Sequence, residues 1–148
     1  MLSTTSEYAL RMMVLLAAQG QRSTTCGALS ASGHIPQQYA SKVLNMLRHA
    51  GLVKGQRGRY GGFALACDPT QVTMLDVVHA IEPPRRMAQC PLGLPTQATQ
   101  LCAMHRQIDQ AIAQFEQGLQ GMTLSQVVEQ GGQRPLCEGA ALAPSRAS

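Results

Sequence analysis

At 148 residues the chain suits one domain with an appendage, and its core must be aliphatic: hydrophobic residues make up 45%, aromatic ones only 3%, and Trp is absent. Residues 1–66 carry seven Lys and Arg against Glu7 alone, while 67–148 carry five against seven acidic side chains, so the first half suits a polyanionic partner. The longest apolar run, Met12 to Ala18, is too short to span a bilayer, and no basic region precedes it, so no membrane association and a cytoplasmic location are expected.

The first element is a helix from Ser3 to Gln19. Tyr8, Leu10, Met12, Met13, Leu15 and Leu16 are apolar at mixed spacings of three and four, and Gly20 ends the run. Ser6, Glu7 and Arg11 give it a polar outer side. Thr24 or Thr25 can cap a second, short helix from Cys26 to Ser32. Gly33-His34-Ile35 makes a turn, and Pro36 opens a third helix that runs to Ala50. Tyr39 or Ala40, Val43, Leu44 and Leu47 form its buried stripe; Gln37, Gln38, Ser41, Lys42, Asn45 and Arg48 lie on other faces.

After the glycine stop at Gly51, Leu52-Val53 and Phe63-Ala64-Leu65 are short strands around a basic, glycine-rich loop, Gly55 to Gly62. Thr73 caps a helix through Ile81, and Pro83-Pro84 ends it. Residues 85–99 are irregular. A long helix from about Gln97 to Gln120 follows, with Leu101, Met104, Ile108, Ile112, Phe115 and Leu119 at spacings of three and four: a seam for a partner helix, buried most simply in a homodimer. Leu124, Val127 and Val128 suggest one more short element, and the Gly-, Ala-, Pro- and Ser-rich stretch after Gln130 reads as disordered.

The fold expected is therefore mainly α with a small β-hairpin wing: a winged helix-turn-helix followed by a long dimerisation helix. Its parts are a DNA-binding domain over 1–82, a loop over 83–99, the dimer helix with a short element over 100–129, and a tail over 130–148.

Two helices joined by a tight turn, the second polar on one side, resemble a helix-turn-helix. Gln37, Gln38, Tyr39, Ser41 and Lys42 sit near the start of the second helix, where side chains reach base edges: Gln can pair with adenine, Lys with guanine or phosphate. The loop Arg57-Gly58-Arg59-Tyr60-Gly61 offers two cations on a backbone that glycines allow to approach DNA closely. A nucleotide-binding glycine loop is the rival reading, but no helix follows to hold a phosphate and no Walker pattern is present. No motif pairs a nucleophile with a base, so an enzyme is not expected. The five cysteines, odd in number, suit metal, redox or core roles better than a disulfide framework.

Tyr8-Ala9-Leu10, Arg48-His49-Ala50-Gly51-Leu52-Val53, Arg57-Gly58-Arg59-Tyr60-Gly61-Gly62-Phe63 and Thr73-Met74-Leu75-Asp76-Val77-Val78 together resemble the Rrf family of bacterial winged-helix regulators, the family of the IscR- and NsrR-like repressors. The resemblance covers roughly residues 1–128. It implies a homodimer that binds double-stranded DNA at a palindromic operator and represses transcription. Many members sense iron, nitric oxide or redox state through an iron–sulfur cluster on three evenly spaced cysteines. Here Cys90 and Cys102 stand at the outer places and Thr96 at the middle one. His105 follows Cys102 as in the IscR-like branch, and Glu7 lies where some members supply a carboxylate from the other subunit. Cys90, Cys102, His105 and a trans Glu7 would make the four ligands a protein-held cluster needs, a mixed set that suits [2Fe–2S] better than [4Fe–4S]. The alternatives are a cluster-free regulator switched by a thiol or a partner protein, and, from another class, an iron–sulfur carrier or thiol redox protein; the basic wing and the absence of Cys-x-x-Cys argue against the latter. Cys26 and Cys67 read as core or edge thiols and Cys137 as incidental.

Overall fold

The computed structural model describes residues 2–93, 100–132 and 136. Among these residues six helices and one hairpin follow each other as α1 (Thr4–Gln19), α2 (Cys26–Gly33), α3 (Gln37–His49), β1 (Val53–Gln56), β2 (Gly62–Leu65), α4 (Met74–Ile81), α5 (Ala103–Gln120) and α6 (Leu124–Gly131). This is the mainly helical, winged architecture expected. Thr96, Cys137 and most of the tail lie outside the described residues.

The central element is α1. Ser3 caps it by accepting from the Ser6 N–H at 3.2 Å, and eight of its residues are buried, from Ser6 to Leu16. An amphipathic surface helix shows one apolar stripe; α1 is apolar on most sides because α2, α3, α4, α6 and β2 all pack around it. Ser6, expected on the polar face, is buried as a consequence, and the Ser3 hydroxyl donates to its oxygen at 3.1 Å, so burial leaves no polar atom unpaired. Met12, Met13, Leu15, Leu16, Leu29, Val43, Leu44, Leu47, Val77, Val78 and Leu124 are fully buried around it.

Two helices of this domain, α4 and α6, open on capping boxes. Thr73 and Asp76 exchange hydrogen bonds at the start of α4, and Thr123 and Gln126 do so at the start of α6, each satisfying donors that a helix start leaves free. The two caps lie side by side: Met74 N–H donates to Met122 O at 3.0 Å and Leu124 N–H to Val72 O at 2.9 Å. Helix α6, grouped with α5 on sequence, thus returns to the winged domain and sets Leu124 in its core.

Helix α5 differs. It starts at Ala103 with Cys102 as its N-cap, later than the expected Gln97, so Leu101 precedes the helix instead of joining its stripe. None of its residues is buried. Its apolar side faces a groove of about 580 Å³ lined by Leu2, Val78, Pro83, Ile108, Ile112 and Phe115.

Candidate nucleic-acid interface and thiol–imidazole centre

The expected reading head is set by the turn between α2 and α3. Thr25 caps α2 by accepting from Ala28 N–H, and α2 stops at His34, whose backbone takes the left-handed conformation (φ 51°, ψ 48°). The Ser30 hydroxyl and the Ile35 N–H then tie the turn, the first donating to Ile35 O at 2.6 Å and the second to Ser30 O at 2.9 Å. Pro36 caps α3 rather than occupying its first turn. Ala40, Val43, Leu44 and Leu47 turn inward, which leaves Gln37, Gln38, Tyr39, Ser41 and Lys42 on the exposed side.

Helix α1 braces this head from behind. The Arg11 guanidinium donates to Gly33 O, the last carbonyl of α2, at 3.1 Å, and lies 5.6 Å from the Tyr8 ring centre. Tyr8 in turn meets Tyr39 edge to face at 5.9 Å. Tyr39 therefore has one side of its ring spoken for, while it remains largely exposed. Glu7 pairs with Arg11 across one turn of α1.

The wing is a two-stranded antiparallel hairpin in which Val53 faces Leu65 and Gln56 faces Gly62. Thr24 adds a third rung: its N–H donates to Phe63 O and its O accepts from Phe63 N–H, both at 2.8 Å. Glycine is required where the hairpin turns and closes on this rung. A Cβ on Gly61 would lie 2.6 Å from Gln56 O, and one on Gly62, where φ is 153°, would lie 2.7 Å from Thr24 O. The loop between holds Arg57, Gly58, Arg59 and Tyr60 in solvent, Tyr60 at 75% exposure. A large exposed aromatic next to two arginines fits a surface made to meet a partner.

The second feature lies at the start of α5. Cys90, Cys102 and His105 bring two sulfurs and one ring nitrogen within 4.8 Å of one another. His105 Nδ1 stands 3.1 Å from Cys102 Sγ and 3.5 Å from Cys90 Sγ. A tetrahedral ion bound at ~2.3 Å to sulfur and ~2.0 Å to nitrogen holds such atoms about 3.5 Å apart, so the three donors match a metal's needs in kind and in spacing. Cys102 and His105 meet because an N-cap and the third helical residue share one side of the first turn. Cys90 is buried and arrives from the irregular segment after α4. Glu7 is not among the residues brought together within this protomer.

A cluster of charges beside this centre is not visible in the sequence pattern. Asp109 accepts from Arg86 Nε at 2.8 Å, from Arg86 Nη2 at 2.7 Å and from the Met87 N–H at 2.8 Å. Arg86 also reaches Glu116 at 3.3 Å, and Glu116 lies 3.5 Å from His79 Nε2. The hydrogen bonds from Arg86, helped by that from Met87, hold the Asp109 carboxyl down at about 2. The paired carboxylates push Arg86 further up. The one sequence signal was the placing of Asp109 four residues after His105, on the same helix face. Cys67 behaves as the edge thiol expected: burial and the neighbouring Asp68 push it up, away from the thiolate, and its sulfur contacts Leu52 O at 3.5 Å.

Known proteins identify the family. Residues 2–130 match the family model described as Rrf2, an iron-dependent transcriptional regulator. The chain belongs to the Rrf2 family. The chain is thus a transcriptional regulator by kinship, in accord with the winged architecture. Over 84 residues it is 33% identical to the HTH-type transcriptional regulator CymR of Bacillus subtilis, a match covering 56% of this chain and 61% of the relative. It is 29% identical over 132 residues to Protein aau3 of Rhizobium meliloti, covering 86% and 84%. The fold matches the solved structure of B. subtilis CymR, the global cysteine regulator, with a TM-score of 0.73 at 24% identity over 88% of this chain and 97% of that one. It matches T. potens IscR with a TM-score of 0.72 at 20% identity over 93% of each. Among the described residues no helix is long and apolar enough to cross a membrane.

Proposed function

We propose that the protein is a homodimeric repressor that binds a palindromic operator and whose grip on DNA is set by a metal centre on Cys90, Cys102 and His105. The observation that carries the reading is the convergence of those three donors at the first turn of α5, the helix whose apolar side lacks cover in one protomer. The family suggests a [2Fe–2S] cluster, which when bound would supply a one-electron redox site sensitive to iron supply and oxidants. Three ligands come from one chain; a fourth, as the family allows, would be Glu7 of a second copy, which would have to leave Arg11 to serve. Thr96 cannot act as a soft ligand in place of a cysteine.

The protein's own part follows from its geometry. Gln37, Gln38, Tyr39, Ser41 and Lys42 are presented to a major groove, and the Arg57-Gly58-Arg59-Tyr60-Gly61 loop to the flanking backbone or minor groove. Met104, Ile108, Ile112 and Phe115 pair two copies along α5, so that two heads meet two half-sites. The metal centre sits where the winged domain passes into α5, so its state can alter the distance between the heads.

Anaerobic reconstitution with iron and sulfide tests the sensor. The expected result is visible absorption with a change in DNA affinity on reconstitution; neither appearing removes the sensor and leaves the cluster-free regulator. Salt tests the DNA contact. Replacing both Arg57 and Arg59 by Ala should reduce the slope of log affinity against log salt by about 3.6, the loss of two phosphate contacts from each protomer of the dimer; an unchanged slope would take the wing off the DNA.

A further inference from the structure

We propose that Asp109 is the positioning residue of the thiol–imidazole centre, gripping the segment that carries Cys90 so that its sulfur meets Cys102 and His105. The inference rests on the reading of those three side chains as ligands and adds residues that neither the motif spacing nor the resemblance supplies.

The need for such a residue comes from the chain itself. Cys102 and His105 are placed by one helical turn. Cys90 has no such support. The residues before it, 82 to 89, belong to no helix or strand, and Pro83 and Pro84 have no N–H to offer. Near Cys90, among the described residues, the backbone makes one local bond, Gly93 N–H to Cys90 O at 3.2 Å. A segment without a ladder wanders unless something outside it takes up its polar groups.

Asp109 does this from α5. Its carboxylate takes both nitrogens of a forked Arg86 contact and the Met87 N–H, three bonds between 2.7 and 2.8 Å. The carboxylate is largely shielded, with its side chain 14% exposed. Met87 precedes Cys90 by three residues, and Asp109 follows His105 by one helical turn. One side chain thus joins the helix that carries two donors to the loop that carries the third. Glu116, two further turns along, steadies the far side of Arg86 with one longer bond and touches His79 of α4. This is the part that outer partners play at metal sites: they aim the ligands, and losing one weakens binding by roughly 10–100-fold.

The test uses the full chain with Cys26, Cys67 and Cys137 changed to Ser, compared in four forms: otherwise unchanged, Asp109→Ala, Asp109→Asn and Arg86→Met. The first readout needs no metal: the rate at which dibromobimane, which fluoresces once both arms have reacted, bridges Cys90 and Cys102. The second is anaerobic titration with Co²⁺ alone, followed by the sulfur-to-cobalt absorption. Asp109→Ala is expected to slow bridging about tenfold and to weaken cobalt binding roughly 10–100-fold, with Asp109→Asn and Arg86→Met between the extremes. Thermal unfolding of the winged domain and metal-free DNA binding should stay as they were. Bridging and cobalt binding that match the unchanged form overturn the proposal while leaving the metal reading intact. Slower bridging in a protein that takes no cobalt in any form upholds the positioning role and defeats the metal reading. A loss of winged-domain stability in all three variants, in step with the two readouts, makes Asp109 a general structural residue and overturns the proposal.

Discussion

Helices α1 and α5 are of similar length, 16 and 18 residues, yet eight residues of α1 are buried and none of α5. The first finds all its partners within its own chain; α2, α3, α4, α6 and β2 surround it. The second has an apolar side of comparable chemistry, but among the described residues α4, the segment after it and the start of the chain from Leu2 line a groove along that side without burying it, and Met104 stays 59% exposed. Hydrophobic surface left in water is a cost that a second copy removes. The winged domain is thus complete as a fold, whereas the arm that follows it keeps an apolar side that the proposed second copy would cover.

The comparison can be broken at its strong end. Leu44 is fully buried between α3 and α1, and Leu44→Ala should cost about 2–5 kcal/mol, the usual range for an emptied leucine site. Urea unfolding reads this directly, and a loss under 1 kcal/mol would mean that the domain is looser than its packing suggests. On α5 the same kind of change should act elsewhere. Ile112→Asp sets a charge on the unpaired apolar side and should turn a dimer into monomers in sedimentation, with the winged domain's unfolding midpoint little changed at low concentration. If Ile112→Asp stays dimeric, α5 is not the seam.

Acid sharpens the comparison by loosening the arm's tie through Asp109. The folded Asp109 carboxyl lies at about 2, below the ordinary aspartate value near ~3.9. A group with its folded value lowered adds stability in full above the unfolded value and loses it as pH falls towards the folded one. The tie between the segment 86–87 and α5 should therefore be intact above pH ~4 and fade as pH drops towards about 2. Dibromobimane cannot follow it there, since thiols are inert in acid; amide exchange at Met87, whose N–H donates to Asp109, can. Protection at Met87 that is flat across this window would contradict the assignment.

Much of the winged domain was legible because its helices announce their own ends. Thr73 with Asp76 before an apolar run marks α4 to the residue, and Thr25 and Gly20 mark the neighbouring limits. The glycines of the wing were legible for the same local reason. Errors arose where burial is a matter of neighbours. Ser6 looks like a surface residue in a helical projection, and only the packing of α1 on several sides shows otherwise. The start of α5 is not legible in the spacing, because Leu101 continues the apolar pattern although Cys102 caps the helix after it. In the centre, Cys102 with His105 could be read from helical geometry. The approach of Cys90 is legible only through the family resemblance and not from local pattern, since it spans an Arg86–Asp109 contact across 23 residues and an irregular loop.

The smallest expected effect lies in the reading head. His34 is the non-glycine residue with positive φ among the described residues, at 51°, and it ends α2 where glycine is the usual choice. A side chain there costs about 1–2 kcal/mol against the right-handed alternative. Glycine would remove that strain but raise the entropy of the unfolded chain by about 0.4–1 kcal/mol. His34→Gly should therefore stabilise the winged domain by about 0.5–1 kcal/mol, seen as a higher urea midpoint with an unchanged slope. The exposed ring has no packing to lose. If midpoint and operator affinity move in opposite directions, the histidine is kept at this turn for the DNA rather than for the fold.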